Sequence, residues 1–213
     1  MTQRGTLIAV EGIDGSGKST VVRALQRRWR AAGWRVAVVR EPNDTFVRRT
    51  AVATGDRNPS MAAMLFTLDR LRSRPELETR LEENDVVLQD RSFFSTLAYQ
   101  GSALPPLVRR ELERLQRQIA VAPDWVVLLD LSPTEALHRV DSARRGRTAL
   151  ERGATLARVA RAYRTLARGP RWLTVDASPA TTAVAAEVER RLRPKLHEPR
   201  RAKRSRAADH RSR

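Results

Sequence analysis

Eight residues constrain this chain more than any others. Gly12-Ile13-Asp14-Gly15-Ser16-Gly17-Lys18-Ser19 has the pattern G-x-x-x-x-G-K-[ST] and directly follows the apolar run Leu7-Ile8-Ala9-Val10. Gly12, Gly15 and Gly17 let the backbone take conformations and close approaches that a Cβ forbids, so that successive N–H groups can wrap a polyphosphate. Lys18 is then placed to reach β- and γ-phosphates and Ser19 to offer a hydroxyl to Mg²⁺. The helix that starts here turns its positive end toward the anion. The surroundings fit: Ser19 to Ala32 spaces Val21, Val22, Leu25 and Trp29 along one helical face. Apolar strand, glycine loop and amphipathic helix in this order make a nucleotide-binding chain the expectation.

Four further apolar runs, Arg35 to Val39, Val86 to Gln89, Trp125 to Leu131 and Trp172 to Val175, alternate with helical stretches. With Leu7 to Val10 they predict five parallel strands covered on both faces, a three-layer α/β P-loop fold. Ligands of open α/β sheets sit at the carboxyl ends of strands. The loop Arg40-Glu41-Pro42-Asn43-Asp44, the phosphate loop and the segment after Gln89 should therefore share one cleft. From Pro59, Met61, Met64, Leu65, Leu68 and Leu71 recur at helical spacing, with Phe66, Asp69 and Arg70 off the main stripe. This pattern predicts that the methionines lie in the core. Leu107, Val108, Leu112, Leu115 and Ile119 predict an amphipathic helix over 105–120, packed on its own domain, and Ala180 to Leu192 a last helix stopped by Pro194.

A length of 213 residues with 41 % hydrophobic content suits one domain with one core. Residues 1–197 are expected to form it, and 198–213 a basic, solvated tail. The net charge of +17 would suit nucleic acid. It is, however, carried by arginine spread along the chain, with lysine only at 18, 195 and 203, and is densest from Arg200 to Arg213. Contact with nucleic acid through that tail is the lesser reading. The chain has no cysteine, which excludes disulfides and thiolate metal sites and suits a reducing cytoplasm. No run approaches a membrane span, and no signal-peptide core precedes the first strand, so neither membrane insertion nor export is expected.

The acceptor of the phosphate is written in other segments. Asp90-Arg91-Ser92 ends the third strand, where a carboxylate can act on the Mg²⁺ shell and a guanidinium can grip phosphate. Thr96, Tyr99 and Gln100 follow, able to read a sugar or base edge, while Phe66 offers a stacking surface. Arg144, Arg145 and Arg147 flank Gly146 in a loop that could close over donor phosphates and exclude water. Plainer readings stand beside these. Asp69-Arg70 would serve equally as an exposed ion pair, the three arginines as part of an Arg-rich surface, and Phe66 and Tyr99 as core aromatics. Asp130 ends the fourth strand as a site carboxylate or as a cap near Ser132-Pro133. His138 is expected at the surface.

In combination these segments resemble the thymidylate kinases among the nucleoside monophosphate kinases, over most of residues 6–176. The family's Glu-Gly-x-Asp-Gly-x-Gly-Lys-Ser/Thr loop corresponds to Glu11 to Ser19, its Arg-Glu-Pro to Arg40 to Pro42, and its Leu-Phe-x-x-Asp-Arg helix to Leu65 to Arg70. Its Asp-Arg-Tyr with Leu-Ala-Tyr-Gln-Gly corresponds to Asp90 to Gly101, and its late x-x-Tyr-x-x-Leu-Ala to Ala162 to Ala167. The resemblance implies ATP-dependent phosphorylation of a pyrimidine deoxynucleoside monophosphate, dTMP to dTDP, with Mg²⁺, by a homodimer.

It also implies roles. Asp14 approaches the acceptor sugar's 3′-hydroxyl and the metal, with Ser19 and Asp90 as further metal ligands. Lys18 and Arg91 act in catalysis, and Arg91 binds the acceptor phosphate. Phe66 and Arg70 stack on and read the base, Tyr99 crowds the 2′ position, and Arg40, Glu41 and Thr96 line the same pocket. Gly15, where some relatives carry arginine, together with Arg144, Arg145 and Arg147 in a lid around 142–153, resembles the bacterial-type arrangement. The chain departs from the pattern at Ser92, in place of tyrosine, at Asn43-Asp44, in place of Gly-Gly, and at Thr148-Ala149-Leu150-Glu151, in place of Asp-Arg-aromatic-Glu. These departures bear on the acceptor, so a kinase for another nucleotide is one alternative. The rival of another class is an ATPase switch whose tail engages nucleic acid; it predicts hydrolysis stimulated by RNA or DNA.

Overall fold

The apolar runs form strands β1 Thr6–Glu11, β2 Val36–Arg40, β3 Val86–Asp90, β4 Trp125–Asp130 and β5 Trp172–Asp176. A computed structural model describes residues 4–54, 57–141, 149–196 and 198. The strands pair in parallel in the order β2-β3-β1-β4-β5. Helices α1 Lys18–Ala31, α2 Thr45–Thr54, α3 Pro59–Glu83, α4 Phe93–Tyr99, α5 Pro106–Ile119, α6 Pro133–Asp141, α7 Ala149–Leu166 and α8 Thr181–Leu192 connect and cover them. Each predicted strand is present, with ends shifted by one residue or none.

The continuous apolar strands follow from burial on both faces. Ile8 and Val10 point into a layer with Val21, Val22, Leu25 and Trp29 of α1 and Val184, Val188 and Leu192 of α8. Leu7 and Ala9 point the other way, toward Leu81 of α3 and toward Phe93, Leu97 and Leu112. The register sets Val10 and Arg40 each opposite Asp90. β1, β2 and β3 thus end level, and the loops that leave them open on one edge.

Helix α3 overturns one expectation. Its stripe of Met61, Met64, Leu68 and Leu71 is not core: these side chains are 49, 47, 62 and 44 % exposed. The buried residues of α3 are instead Ala62, Ala63, Thr67, Asp69, Arg70 and Leu81. The physical reason lies in what the inner face holds. Arg70 and Asp69 are buried among polar partners, so the polar side of the helix is turned inward and the apolar side outward. Asp69 and Arg70 are accordingly not an exposed ion pair.

In α5 the prediction divides. Leu112 is buried, while Leu107 and Val108 are exposed. Helix α2, which carries no strong periodicity, was not anticipated; Asp44 nucleates it by accepting from the amides of Phe46 (2.7 Å) and Val47 (3.1 Å). His138 is exposed, as expected. Asp130 receives three hydrogen bonds from Arg164 of α7, at 3.0 to 3.2 Å, and the amide of Glu135 is capped by Ser132. Arg144, Arg145 and Arg147, and the tail beyond Glu198, lie outside the described residues. Among the described residues no helix is long and apolar enough to cross a membrane.

Candidate active site

The glycine loop leaves β1 and curls at the foot of α1, where Gly17 adopts φ 86° and precedes the first helical residue. Gly12 and Gly15 also have positive φ, and a Cβ at Gly15 would lie 2.7 Å from the carbonyl of Ala136 on α6. Only glycine fits there. Ile13 and Ser16 are buried within the loop. Lys18 is buried as well, and its Nζ donates to the carbonyls of Gly12 (3.0 Å) and Ile13 (2.8 Å). Burial, helped by the cationic Arg91 nearby, lowers its pKa from 10.5 to about 7, against the pull of Asp14, Asp90 and Glu11.

Asp90 closes β3 beside the loop. One of its oxygens accepts from Ser19 Oγ at 2.5 Å and lies 3.7 Å from Nε of Arg40, which is largely exposed. Its other oxygen, Oδ1, is buried and has no hydrogen-bond partner among the described residues. A hydroxyl next to an orphaned carboxylate oxygen is an all-oxygen donor pair of the kind that suits Mg²⁺, an ion that keeps waters and shares substrate phosphates. Ser19 and Asp90 fit that ion.

Opposite stands α4. Arg91, which begins the turn into it, has φ 72°, the left-handed region that non-glycine residues rarely occupy. Its guanidinium pairs with Asp14 and lies 5.3 Å from the ring centroid of Tyr99. The Tyr99 hydroxyl accepts from the amide of Asp14 at 2.9 Å. Burial pushes the Tyr99 hydroxyl up, so it stays neutral. Burial opposes the charge on Arg91, but Asp14, Tyr99, Tyr163 and Glu11 together carry its pKa well above the ordinary value. Three residues singled out in the sequence, Asp14, Arg91 and Tyr99, therefore meet in one cluster across the cleft.

A second polar group surrounds Arg70. Its guanidinium donates to Oε2 of Glu41 (2.6 and 2.9 Å), to Thr96 Oγ1 (3.2 Å) and to Gln116 Oε1. Glu41 also accepts from Gln89 Nε2 at 2.8 Å. Burial raises the pKa of its carboxyl, and Arg70 opposes the rise. Phe66 is half-buried one turn before Arg70. Glu41 is thus the partner of Arg70, which it orients within the pocket wall. Asp69 receives the amides of Asn43 (2.7 Å) and Asp44 (3.1 Å), which fixes the loop after β2 without the expected Gly-Gly. Ser92 caps α4, accepting from the amide of Phe94 at 3.3 Å.

Two residues escaped the sequence reading. Gln116 is fully buried and bridges Arg70 to Thr67, whose Oγ1 accepts from Nε2 at 2.7 Å. It stands four residues after Leu112, on the buried face of α5, and a polar residue in that position was the available signal. Glu11, in the sequence only a letter of the phosphate-loop motif, is fully buried and accepts four hydrogen bonds.

A glycine loop that buries a lysine on one side, faced by polar clusters around Arg91 and Arg70 on the other, is the layout of a P-loop kinase. Within that class the chain belongs to the thymidylate kinase family, whose description matches residues 10–188. It is 39 % identical over 199 residues, 88 % of this chain and 94 % of the relative, to a thymidylate kinase of Leifsonia xyli subsp. xyli. It is 33 % identical over 186 residues, 85 % of this chain and 93 % of the relative, to a probable thymidylate kinase of Pyrobaculum aerophilum. A thymidylate kinase of Xanthomonas euvesicatoria pv. vesicatoria is 42 % identical over 142 residues, 64 % of this chain and 61 % of that protein. The chain is accordingly a nucleoside monophosphate kinase, a transferase with ATP as its phosphate donor.

Proposed function

We infer that this protein transfers the γ-phosphoryl group of ATP to the 5′-phosphate of dTMP. An oxygen of the acceptor phosphate attacks the γ-phosphorus, the bond to the β–γ bridging oxygen breaks, and dTDP and ADP leave. The observation that carries the reading is the meeting of α4 with the donor loop, through Arg91, Asp14 and Tyr99. A residue that would hold the acceptor phosphate stands directly across from the loop that would hold ATP.

Such chemistry needs no protein nucleophile. Positioning and charge neutralisation carry the rate, and one arginine on the transferring group is worth about 10³ to 10⁵ in related P-loop systems. The amides of Gly12 to Ser19 and Lys18 would hold the donor phosphates, Lys18 exchanging its two loop carbonyls for phosphate oxygens. Arg91 would hold the acceptor phosphate. Arg70, oriented by Glu41 and Thr96, would read the base beside Phe66, and Tyr99 would crowd the 2′ position. Arg40, at the mouth, would add charge. Ser19, Asp90 and Asp14 would hold Mg²⁺, which when bound supplies neutralisation of the phosphate charge. Arg144, Arg145 and Arg147 are assigned the donor-side lid by resemblance.

A coupled ADP-release assay with MgATP and dTMP, dUMP, dCMP, CMP, UMP, dGMP and dAMP tests the acceptor. Strong turnover is expected with dTMP, and silence with dTMP alongside turnover of another monophosphate would overturn the assignment. Arg91→Ala is expected to lower dTMP phosphorylation about 10³-fold while leaving ATP binding in place. The enzyme is further assigned to the cytoplasm, where a chain without cysteine is at home. A homodimer is proposed through the exposed apolar face of α3.

A further inference from the structure

Glu11 lies one step beyond Val10 at the end of β1, with no solvent exposure. A buried carboxylate is costly unless its lone pairs are filled. Here one oxygen accepts from the amide and the hydroxyl of Ser92, both at 2.7 Å. The other accepts from Ser95 Oγ at 2.7 Å and from the hydroxyl of Tyr163 on α7 at 2.8 Å. Three of the four donors thus belong to the N-cap and first turn of α4, immediately after Arg91.

Arg91 is the residue with most to gain from that anchorage. At φ 72° its backbone lies in the left-handed region, which strains any residue with a Cβ and persists only where its surroundings over-determine it. The Arg91 amide donates to the carbonyl of Val10 at 3.1 Å, and the next amide, of Ser92, donates to Glu11. The strained residue is clamped on both sides by consecutive residues of β1. Its guanidinium is also steadied: NH1 donates at 3.2 Å to Ser95 Oγ, the hydroxyl that itself donates to Glu11.

We propose that Glu11 is the positioning residue for the acceptor arginine. Its carboxylate holds the turn at Arg91 and the hydroxyl of Ser95 so that the guanidinium projects across the cleft toward the donor loop. The assignment rests on the acceptor role proposed for Arg91. Tyr163 extends the clamp to α7, and Ser92, in the place of the family's tyrosine, contributes two of the four donors. A carboxylate that only filled the core would leave the acceptor no more affected than the donor.

The test is a pair of variants and their combination, in the full chain, with folding checked by circular dichroism. Glu11→Gln keeps the volume but presents an amide N–H₂ to hydroxyl and amide donors. It is expected to lower kcat/KM for dTMP about 10²-fold, the cost of a misplaced reacting group, with ATP affinity changed by no more than about threefold. In an Arg91→Ala background the same change should add less than about threefold, because it acts through the missing guanidinium. Where Glu11→Gln does not fold, Tyr163→Phe removes a single donor and is expected to lower kcat/KM for dTMP about tenfold. Unchanged dTMP kinetics in a folded Glu11→Gln or Tyr163→Phe protein, or losses that multiply in the double variant, would overturn the proposal. If Arg91→Ala alone leaves dTMP turnover intact, it is the acceptor role of Arg91 that fails.

Discussion

Lys18 connects burial to binding at the scale of one side chain. Burial holds its pKa at about 7 against an ordinary 10.5. Between those values the unfolded chain carries a proton that the folded chain has lost. The buried charge therefore weighs fully on stability below about pH 7, and the weight lifts as pH rises through the window to 10.5. A polyphosphate bound as proposed would replace the loop carbonyls with anionic oxygens and restore the charge. MgATP binding at pH 8 is therefore expected to take up close to one proton per site, read by calorimetry as an enthalpy that depends on the buffer's ionisation heat. A buffer-independent enthalpy would contradict it. Gly15 makes a second prediction. Its φ of 87° costs a side chain about 1–2 kcal/mol, and an added Cβ would meet the Ala136 carbonyl as well. Gly15→Ala should lower stability in urea by at least that amount and weaken ATP binding, so unchanged denaturation would contradict the packing of loop on α6. The same contact bars arginine from this position in this chain.

Elements place the polar cluster around Arg70 that is proposed to take the acceptor. Arg70 on α3 is held from the loop after β2 by Glu41, from α4 by Thr96 and from α5 by Gln116, so four segments must dock before the guanidinium has one orientation. Gln116→Leu keeps the shape but leaves a charged buried donor unpaired, at a cost of about 1–3 kcal/mol. Equilibrium unfolding should show that loss and the KM for dTMP should rise, while the KM for ATP stays; loss of stability alone would make Gln116 purely structural. The loop at Gly12 to Ser19 and the strand-end residues Arg40 and Asp90 were legible because motif, strand run and carboxyl-edge rule coincide on residues close in the chain. Arg70 was legible as a motif residue together with Glu41 and Thr96, but its third partner, Gln116, was not, since it stands 46 residues away on a helix outside the motifs. Glu11 and Tyr163, 152 residues apart, were hidden for the same reason. The methionine stripe failed differently: periodicity fixes which residues share a face, not which face turns inward.

That outward face raises the question of how many chains make the working molecule. Met61, Met64, Leu68 and Leu71 follow one another at spacings of three and four, so they form a single stripe along α3, and Phe46 and Val52 on the adjoining α2 are also exposed. An apolar stripe left in water is unfavourable by roughly 25 cal/mol for each Å² that a partner would cover, and contiguous patches of this kind mark interfaces. The inward face of the same helix carries Arg70 and Asp69, so contacts on one side of α3 would brace the proposed acceptor pocket on the other. A two-fold pairing of α3 with its counterpart satisfies the stripe with itself, as an isologous interface requires. Leu68→Glu puts a charge at the centre of that stripe and, across a two-fold, sets it near its own copy. Sedimentation equilibrium should find the unmodified protein dimeric and the variant monomeric, with the KM for dTMP raised more than that for ATP because α3 has lost its brace. If the unmodified protein sediments as a monomer, the face has another occupant. A monomeric variant with unaltered dTMP kinetics would separate assembly from the pocket.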